Sequence, residues 1–144
     1  METEQMKTGT TTLGLVCKDG IVLAADRRVT AGFVVHKKTK KIVQINDNLA
    51  VTTAGSVSEV LLLVKLLRAE LMLKELQTGR PSTVKESANL LGGLLYQNFR
   101  KMSFVPAIAA FLLGGKDPEG FHLYLTDPDG SYIAYDDYAT DGSG

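Results

Sequence analysis

The order of hydrophobic and polar positions divides the chain into a strand-rich segment, two helices and a second strand-rich segment. Short runs of β-branched and apolar residues, bounded by Gly, Asp, Asn or Lys, are typical of strands. In the first segment such runs predict strands over Thr11–Cys17, Ile21–Ala25, Phe33–His36, Lys41–Ile45 and Leu49–Ala54. In the second they predict strands over Ala107–Leu113, Phe121–Thr126 and Tyr132–Tyr135.

Turn residues connect these strands. Lys18–Gly20 predicts a hairpin between the first two strands, and we expect both of them to be largely buried. A turn at Lys116–Gly120 and another at Asp127–Gly130 separate the last three strands. Asp141–Gly144 has the composition of a loop, with no further element after it.

Between the strand-rich segments the apolar period becomes helical. Ser56 and Glu59 fit a capping box at the start of the first helix, and Gly79 ends that helix. The apolar stripe of this helix consists of Val60, Val64, Leu67 and Leu71, while Lys65, Arg68 and Lys74 lie elsewhere on its surface.

A second helix begins at Thr83, with Glu86 three residues later. Gly92 and Gly93 fall inside it, where each costs roughly 1 kcal/mol relative to Ala. Close approach of a neighbouring helix would explain these glycines. Two blocks of strands flanking a pair of helices predict a single layered α+β domain.

The composition argues against several classes of function. The chain has 144 residues, 16 basic and 16 acidic side chains and one cysteine, Cys17. A balanced charge offers no field for phosphates, which argues against nucleic acid as a partner. One thiol forms neither an intramolecular disulfide nor a cysteine-based metal site. The first nine residues lack an apolar core and no apolar run is long enough to cross a bilayer, so we predict a soluble cytoplasmic protein.

Most familiar catalytic motifs are missing. There is no phosphate-binding loop, dinucleotide fingerprint, Gly-x-Ser-x-Gly elbow or His-Glu-x-x-His pair. The two histidines, His36 and His122, are interpreted as strand residues. The acidic pair of Asp127 and Asp129 does not have the spacing of a calcium loop, so we expect a plain turn and no metal.

A nucleophile that needs no histidine remains possible. A threonine hydroxyl needs an adjacent base, and an N-terminal threonine supplies one through its own α-amine. The reference pKa of an α-amine is about 7.7–8.0, and a nearby ammonium lowers that pKa. Such chemistry requires a Gly-Thr junction, a lysine held by a carboxylate, and an exposed backbone amide for the oxyanion.

The sequence contains each of these parts in an order that resembles the proteasome β subunits. Five segments carry the resemblance, and their order and spacing hold over the whole chain: Gly9–Gly14, Ala25–Arg28, Lys40–Ile42, Thr53–Ser56 and Gly142–Gly144. The short segment before Thr10 most resembles the propeptides of archaeal members. It implies a four-layer αββα sandwich of the N-terminal-nucleophile hydrolase type. It also implies residues 1–9 as a propeptide and residues 10–144 as an incomplete domain, because family chains continue beyond the glycine-serine loop.

The resemblance assigns catalytic roles residue by residue. Thr10 is the nucleophile after cleavage between Gly9 and Thr10, and its freed amine is the base. Lys41 lowers the pKa of that amine, and Asp26 pairs with Lys41. The Gly55 amide binds the oxyanion at a helix start, where the helix dipole favours negative charge. Ser143 hydrogen-bonds near the amine.

The resemblance also implies substrate contacts and partners. Five positions correspond to substrate contacts or the specificity pocket: Val29, Thr30, Thr39, Thr53 and Val57. Two of these are valines, which favours apolar substrate side chains. The implied assembly is a four-ring stack in which heptameric β rings lie between α rings, with an ATP-dependent unfoldase acting through the α ring on unfolded polypeptides. No cofactor is implied.

Simpler readings of the same residues stay open. Thr10 could only begin a strand, Asp26 could pair with Arg27 or Arg28, Lys41 could belong to a solvated basic edge, and Gly55 could be only a turn. A non-catalytic structural β subunit and a small-molecule amidase with the same nucleophile are the two alternative functions. Two departures from the family pattern are a segment one residue shorter near Ala31 and Ser58-Glu59 in place of Gly-Asp.

Overall fold

The computed structural model describes residues 9–31, 34–36, 38–100 and 109–142, and the side chains of residues 30, 31 and 34–36 lie outside that description. In chain order the described elements are β1 (Thr12–Cys17), β2 (Gly20–Ala25), β3 (Val29–Ala31), β4 (Val34–His36), β5 (Ile42–Asn46), β6 (Leu49–Gly55), α1 (Val57–Thr78), α2 (Val84–Phe99), β7 (Ala109–Asp117), β8 (Gly120–Thr126), β9 (Tyr132–Tyr135) and β10 (Tyr138–Asp141). The predicted strands and helices agree with these elements within a few residues wherever they are described.

The strands form two antiparallel sheets and a separate β3–β4 hairpin. The large sheet has the order β5-β6-β7-β8-β9, and the small sheet has the order β10-β1-β2. α1 and α2 cover one face of the large sheet, and the small sheet packs on its other face. The α+β class predicted from the sequence is confirmed. Of the four predicted layers, the described residues form three, which are one helical layer and both sheets.

The central strand β7 shows why the large sheet lies in the middle. Successive side chains of a strand point to opposite faces. Phe111 and Leu113 pack with the helices, whereas Leu112 packs with Leu123 and Ala139 against the small sheet. All five side chains are buried. A run that is apolar at every position therefore fits a strand covered on both sides.

The β1–β2 hairpin is less buried than predicted. Leu15 is 41% exposed and Val22 is 47% exposed, although both strands are rich in apolar residues. Leu15 pairs with Val22 directly across the hairpin. Because side chains alternate along a strand, one face of the small sheet packs on the large sheet and the opposite face is accessible within the described part of the chain.

The capping box predicted at the start of α1 is wrong. A side-chain cap of the expected kind is found at the start of α2 instead. Ser56 is the N-cap residue of α1, but its side chain makes no capping hydrogen bond; its hydroxyl lies 3.3 Å from that of Ser58 instead. In α2 the Thr83 hydroxyl accepts the Glu86 N–H at 3.1 Å. α1 therefore leaves backbone amides of its first turn uncapped by the Ser56 side chain.

The glycines inside α2 have a different cause from the one predicted. A Cβ added at Gly92 would lie 2.6 Å from the Gly130 carbonyl oxygen and 3.3 Å from the Tyr132 ring. The close neighbour is therefore the turn between β8 and β9, not a helix. A Cβ added at Gly93 would meet nothing within 4 Å. Only the first of the two glycines is required by packing.

This difference gives a matched pair of substitutions. We expect Gly93→Ala to raise the free energy of unfolding by up to about 1 kcal/mol, because Ala is the better helix former and the space is open. We expect Gly92→Ala to lower it, because the methyl group would meet backbone that has to move. Urea unfolding of both variants measures the difference. Equal effects of the two substitutions would contradict this packing.

The sequence analysis did not predict the strands β3 and β10, and it predicted a longer turn between β7 and β8 than the structure has. β3 pairs with β4, and β10 pairs antiparallel with β1 through Thr12 and Asp141. β7 continues to Asp117 and β8 begins at Gly120, so most of the turn predicted from Lys116 is strand. β10 matters for the site because it ends beside the residues that precede β1.

Candidate active site

Thr10, Asp26 and Lys41 lie together at one end of the two sheets. The Lys41 ammonium donates to Asp26 Oδ1 at 2.9 Å and to Oδ2 at 3.0 Å. It also donates to Thr10 Oγ1 at 3.1 Å and to the Gly9 carbonyl oxygen at 3.3 Å. Lys41 is only 6% exposed. The nucleophile, lysine and carboxylate predicted from the sequence therefore form one hydrogen-bonded cluster.

The β1–β2 hairpin positions two members of this cluster. Thr12 pairs with Ala25 in the register of the hairpin, so the residues just outside the strands meet at its open end. The Asp26 N–H donates to the Thr11 carbonyl at 3.1 Å, and the Thr11 N–H donates back to Asp26 Oδ1 at 2.9 Å. These two hydrogen bonds hold Asp26 against Thr11, the residue that follows Thr10.

Lys41 is held from the large sheet. It immediately precedes β5, and its carbonyl accepts the Thr53 N–H at 2.8 Å and the Thr53 hydroxyl at 3.3 Å. Thr53 is in β6 and is buried. The lysine therefore reaches from the large sheet to a threonine and a carboxylate on the small sheet.

The carboxylate of Asp26 is kept ionised by its partners. Burial alone raises the pKa of Asp26, but the Thr11 N–H, the Lys41 ammonium and the Arg28 N–H together hold that pKa below its ordinary value of 3.8. The Arg28 N–H donates to Asp26 Oδ2 at 3.0 Å. Near neutral pH Asp26 is therefore a carboxylate.

The shifted pKa of Asp26 predicts how stability depends on pH. A carboxyl group whose folded pKa is depressed stabilises the protein above its ordinary pKa, and this contribution is lost as the pH falls through the folded pKa. We expect the free energy of unfolding to fall below about pH 4 more steeply in the wild type than in Asp26→Asn. Asp19→Asn, in the exposed β1–β2 turn, is the control. Parallel pH profiles for wild type and Asp26→Asn would contradict the depressed pKa.

A cavity of about 360 Å³ opens beside Thr10. Besides the cluster residues Gly9, Thr10 and Lys41, it is lined by Gly55 and by four of the five positions predicted to contact substrate: Val29, Thr39, Thr53 and Val57. Asp26 is not part of its lining. Thr30 is described only as a backbone position in β3, where it pairs with Val35, and Ser143 lies outside the described residues.

Gly55 forms the junction between β6 and α1. Its φ of 116° lies in a region that side chains strongly disfavour, which explains a glycine at this position. Gly55 is exposed, lines the cavity and lies two residues before the start of α1. Backbone amides at the start of a helix favour a negative charge. Gly55 and Thr10 line the same cavity, and the oxyanion role of Gly55 stays a prediction.

Some site residues were not found from the sequence. A Cβ at Gly142 would overlap the carbonyl oxygen of Thr10, and Gly142 has φ 98°. The glycine-serine motif drew attention to Ser143 instead. Lys65 and Arg68 also line the cavity, although the helical pattern had placed them away from the buried stripe of α1.

The remaining candidate residues lie outside the cavity lining. His122 is in β8, as predicted, and its Nε2 lies 3.1 Å from Asp117 Oδ1. Asp117, Glu119 and His122 are the one group within the described ranges whose ligand atoms are close enough to hold a metal ion, within 4.8 Å. Both oxygens of Asp117 accept backbone N–H groups, from Val84 and Glu119.

Two other expectations concern turns and membranes. Asp127 to Gly130 forms a plain turn, closed by a hydrogen bond from the Gly130 N–H to the Asp127 carbonyl at 3.0 Å. Among the described residues, neither helix has the length and apolar character needed to cross a bilayer.

The family model and the relatives that match this chain are all proteasome subunits. A family model described as "Proteasome subunit" matches residues 6–144. The chain is 42% identical over 142 residues to the proteasome subunit beta of Archaeoglobus fulgidus, a match that covers 98% of this chain and 65% of the relative. It is 41% identical over 137 residues to the proteasome subunit beta of Ferroglobus placidus, covering 94% of this chain and 63% of the relative. It is 47% identical over 143 residues to the proteasome subunit beta 2 of Pyrococcus abyssi, covering 99% and 66%. The chain thus spans about two thirds of the length of these relatives.

Proposed function

This chain belongs to the proteasome subunit family, and on that premise we propose that it is a catalytic β subunit whose nucleophile is Thr10. Membership confirms the resemblance found from the five sequence segments and the α+β fold of the N-terminal-nucleophile hydrolase type. The proposed activity is that of a threonine endopeptidase acting on unfolded polypeptides.

One observation carries the proposal. The Lys41 ammonium contacts both Thr10 Oγ1, at 3.1 Å, and the carboxylate of Asp26, at 2.9 Å. A threonine that only forms a strand, a surface carboxylate and a solvated lysine would not need to meet in one hydrogen-bonded cluster around a buried ammonium. An N-terminal threonine hydrolase requires this meeting, because the lysine has to be charged, oriented and close to the nucleophile.

The first proposed reaction is cleavage between Gly9 and Thr10. Thr10 Oγ attacks the carbonyl carbon of Gly9, the peptide bond breaks, and the proton from Oγ is transferred to the departing Thr10 nitrogen. Water then hydrolyses the ester and releases residues 1–9. The Gly9 carbonyl oxygen accepts from Lys41 at 3.3 Å, so the bond to be cleaved already lies at the nucleophile. The free amine of Thr10 is the product that the second reaction requires.

The second proposed reaction is hydrolysis of a substrate peptide bond. The neutral amine of Thr10 takes the proton from Oγ, which attacks the substrate carbonyl and forms an acyl ester; the amine then gives that proton to the leaving nitrogen. The positive charge of Lys41 disfavours protonation of the amine and so keeps it available as a base. The Gly55 N–H stabilises the oxyanion, and Ser143 hydrogen-bonds near the amine. Water completes the cycle without a metal or a nucleotide in this step.

The cavity beside Thr10 is the proposed specificity pocket. Val29, Thr39, Thr53 and Val57 line it, and Thr30 lies in the adjoining strand β3. A strand next to the pocket offers backbone groups that can pair with an extended peptide. We therefore propose that these five residues contact the substrate.

The wider proposal follows from family membership. Residues 1–9 act as the propeptide and residues 10–144 as part of the hydrolase domain. The subunit assembles with proteasome α subunits and further β subunits into stacked heptameric rings in the cytoplasm, and an ATP-dependent unfoldase acts through the α ring. Cleavage of the propeptide after assembly keeps the protease inactive until its site is enclosed.

The proposal is tested by assembling the chain with archaeal proteasome α subunits and assaying the isolated particle. We expect hydrolysis of fluorogenic peptides and of an unfolded protein by the assembled particle, and none by the unassembled chain. An assembled particle that keeps residues 1–9 and hydrolyses neither substrate would overturn the proposal and support a structural subunit.

A further inference from the structure

The cavity beside Thr10 carries an excess of positive charge. Its lining contains five cationic side chains and no carboxylate among the described residues: Arg28, Lys40, Lys41, Lys65 and Arg68. Lys41 is neutralised by Asp26 at 2.9 Å. None of the other four forms an ion pair with a described carboxylate. The chain as a whole has no net charge, so this excess is local.

Two of these cations, Lys65 and Arg68, follow an apolar stretch of α1 that also lines the cavity. Val57, Leu61 and Val64 line the cavity from the first turns of α1, and Lys65 and Arg68 line it from the following turn. Positions three or four apart on a helix share one face, so this single face changes from apolar near the β6–α1 junction to cationic farther along. The cavity therefore combines an apolar wall with a positively charged end.

Arg68 retains donors for a ligand. Its guanidinium donates one hydrogen bond to the Gln44 carbonyl at 2.5 Å, which orients it without neutralising its charge. A guanidinium has five N–H donors, so most of them stay available in the described structure. Lys65 is exposed and lines the cavity one turn before Arg68.

We propose that the cavity selects an acidic side chain of the substrate peptide, with glutamate preferred. Several uncompensated cations around a concave site produce a positive potential that attracts an anionic group. The methylene groups of glutamate would pack on the apolar wall, and its carboxylate would face Lys65 and Arg68. This refines the apolar preference predicted from Val29 and Val57. The inference rests on the proposed function, because it concerns the peptide that Thr10 cleaves.

The test compares three fluorogenic peptides that differ only in the residue before the cleaved bond, which is Glu, Gln or Leu. The assembled particle is expected to cleave the Glu peptide with a kcat/KM about tenfold above that of the isosteric Gln peptide at low salt. The ratio should fall as ionic strength rises, because salt screens exposed charges. Lys65→Glu and Arg68→Gln should each lower the Glu-to-Gln ratio, while Lys85→Glu, an exposed lysine on α2 outside the cavity lining, should leave the ratio unchanged.

Three results would overturn the inference, and they differ in what they say about the proposed function. Hydrolysis of the Gln and Leu peptides with no preference for Glu would overturn the acidic specificity and leave the threonine protease standing. Hydrolysis of none of the three peptides by a particle whose N-terminal residue is Thr10 would overturn both. A Glu preference that Lys65→Glu and Lys85→Glu lower equally would also overturn the assignment to this cavity.

Discussion

Thr10→Ala is expected to leave Met1 to Gly9 attached and to lower peptide hydrolysis by the assembled particle at least roughly 10³-fold. The reason is that Thr10 Oγ is proposed to attack two bonds, the one to Gly9 and the one in the substrate. Without the hydroxyl neither ester forms, and the amine that serves as the base is never released. Intact mass and peptide hydrolysis, measured on the same preparation, report the two losses separately.

Two matched variants make the Thr10 result specific. Thr10→Ser keeps a hydroxyl and should keep cleavage of residues 1–9 together with measurable hydrolysis. Thr140→Ala removes an exposed threonine of β10 and should behave like the wild type. A Thr10→Ala protein that loses residues 1–9 and hydrolyses peptides would refute the nucleophile assignment.

Lys41→Ala is expected to reduce hydrolysis by about 10²-fold or more while the particle still assembles. The substitution removes a side chain that hydrogen-bonds to both Thr10 and Asp26. It also leaves Asp26 without its ammonium partner, so the pKa of Asp26 should rise towards its ordinary value. The pH profile of hydrolysis should shift to higher pH, because the Thr10 amine would bind its proton more tightly.

The control for Lys41 comes from the same basic segment. Lys38→Ala removes an exposed lysine that does not line the cavity, and we expect wild-type hydrolysis from it. Normal turnover by Lys41→Ala would show that the base is activated in another way. Equal losses from both substitutions would indicate that the net charge of the segment matters and not the contact to Thr10.

Most of the fold that local patterns determine was predictable, although the Ser56 cap of α1 was predicted wrongly and the short strand β3 was missed. The strand runs, the helical stripe of α1 and the Thr83 cap of α2 all depend on neighbours within a few residues. β10 was missed because it is an edge strand held by pairing with β1, more than a hundred residues earlier in the chain. Gly92 was assigned the wrong neighbour for the same reason, because the turn at Gly130 reaches it only in the folded chain.

Three residues of the candidate site, Thr10, Asp26 and Lys41, could be identified from the sequence. The chemistry of an N-terminal threonine requires a lysine and a carboxylate, and the structure brings Lys41 and Asp26 to Thr10; their catalytic roles stay predictions. The contact between Gly142 and Thr10 could not be predicted, because it depends on where β10 ends. Lys65 and Arg68 were placed only away from the apolar stripe of α1, since a helical pattern cannot show that a cavity opens beside them.

The central claim is that Thr10 becomes an N-terminal nucleophile, and the intact mass and N-terminal residue of the chain test it most directly. We would measure both after mixing the chain with proteasome α subunits and isolating the assembled particle. We expect a chain that has lost residues 1–9 and begins with Thr10. A chain that keeps its full mass in an assembled particle would contradict that claim.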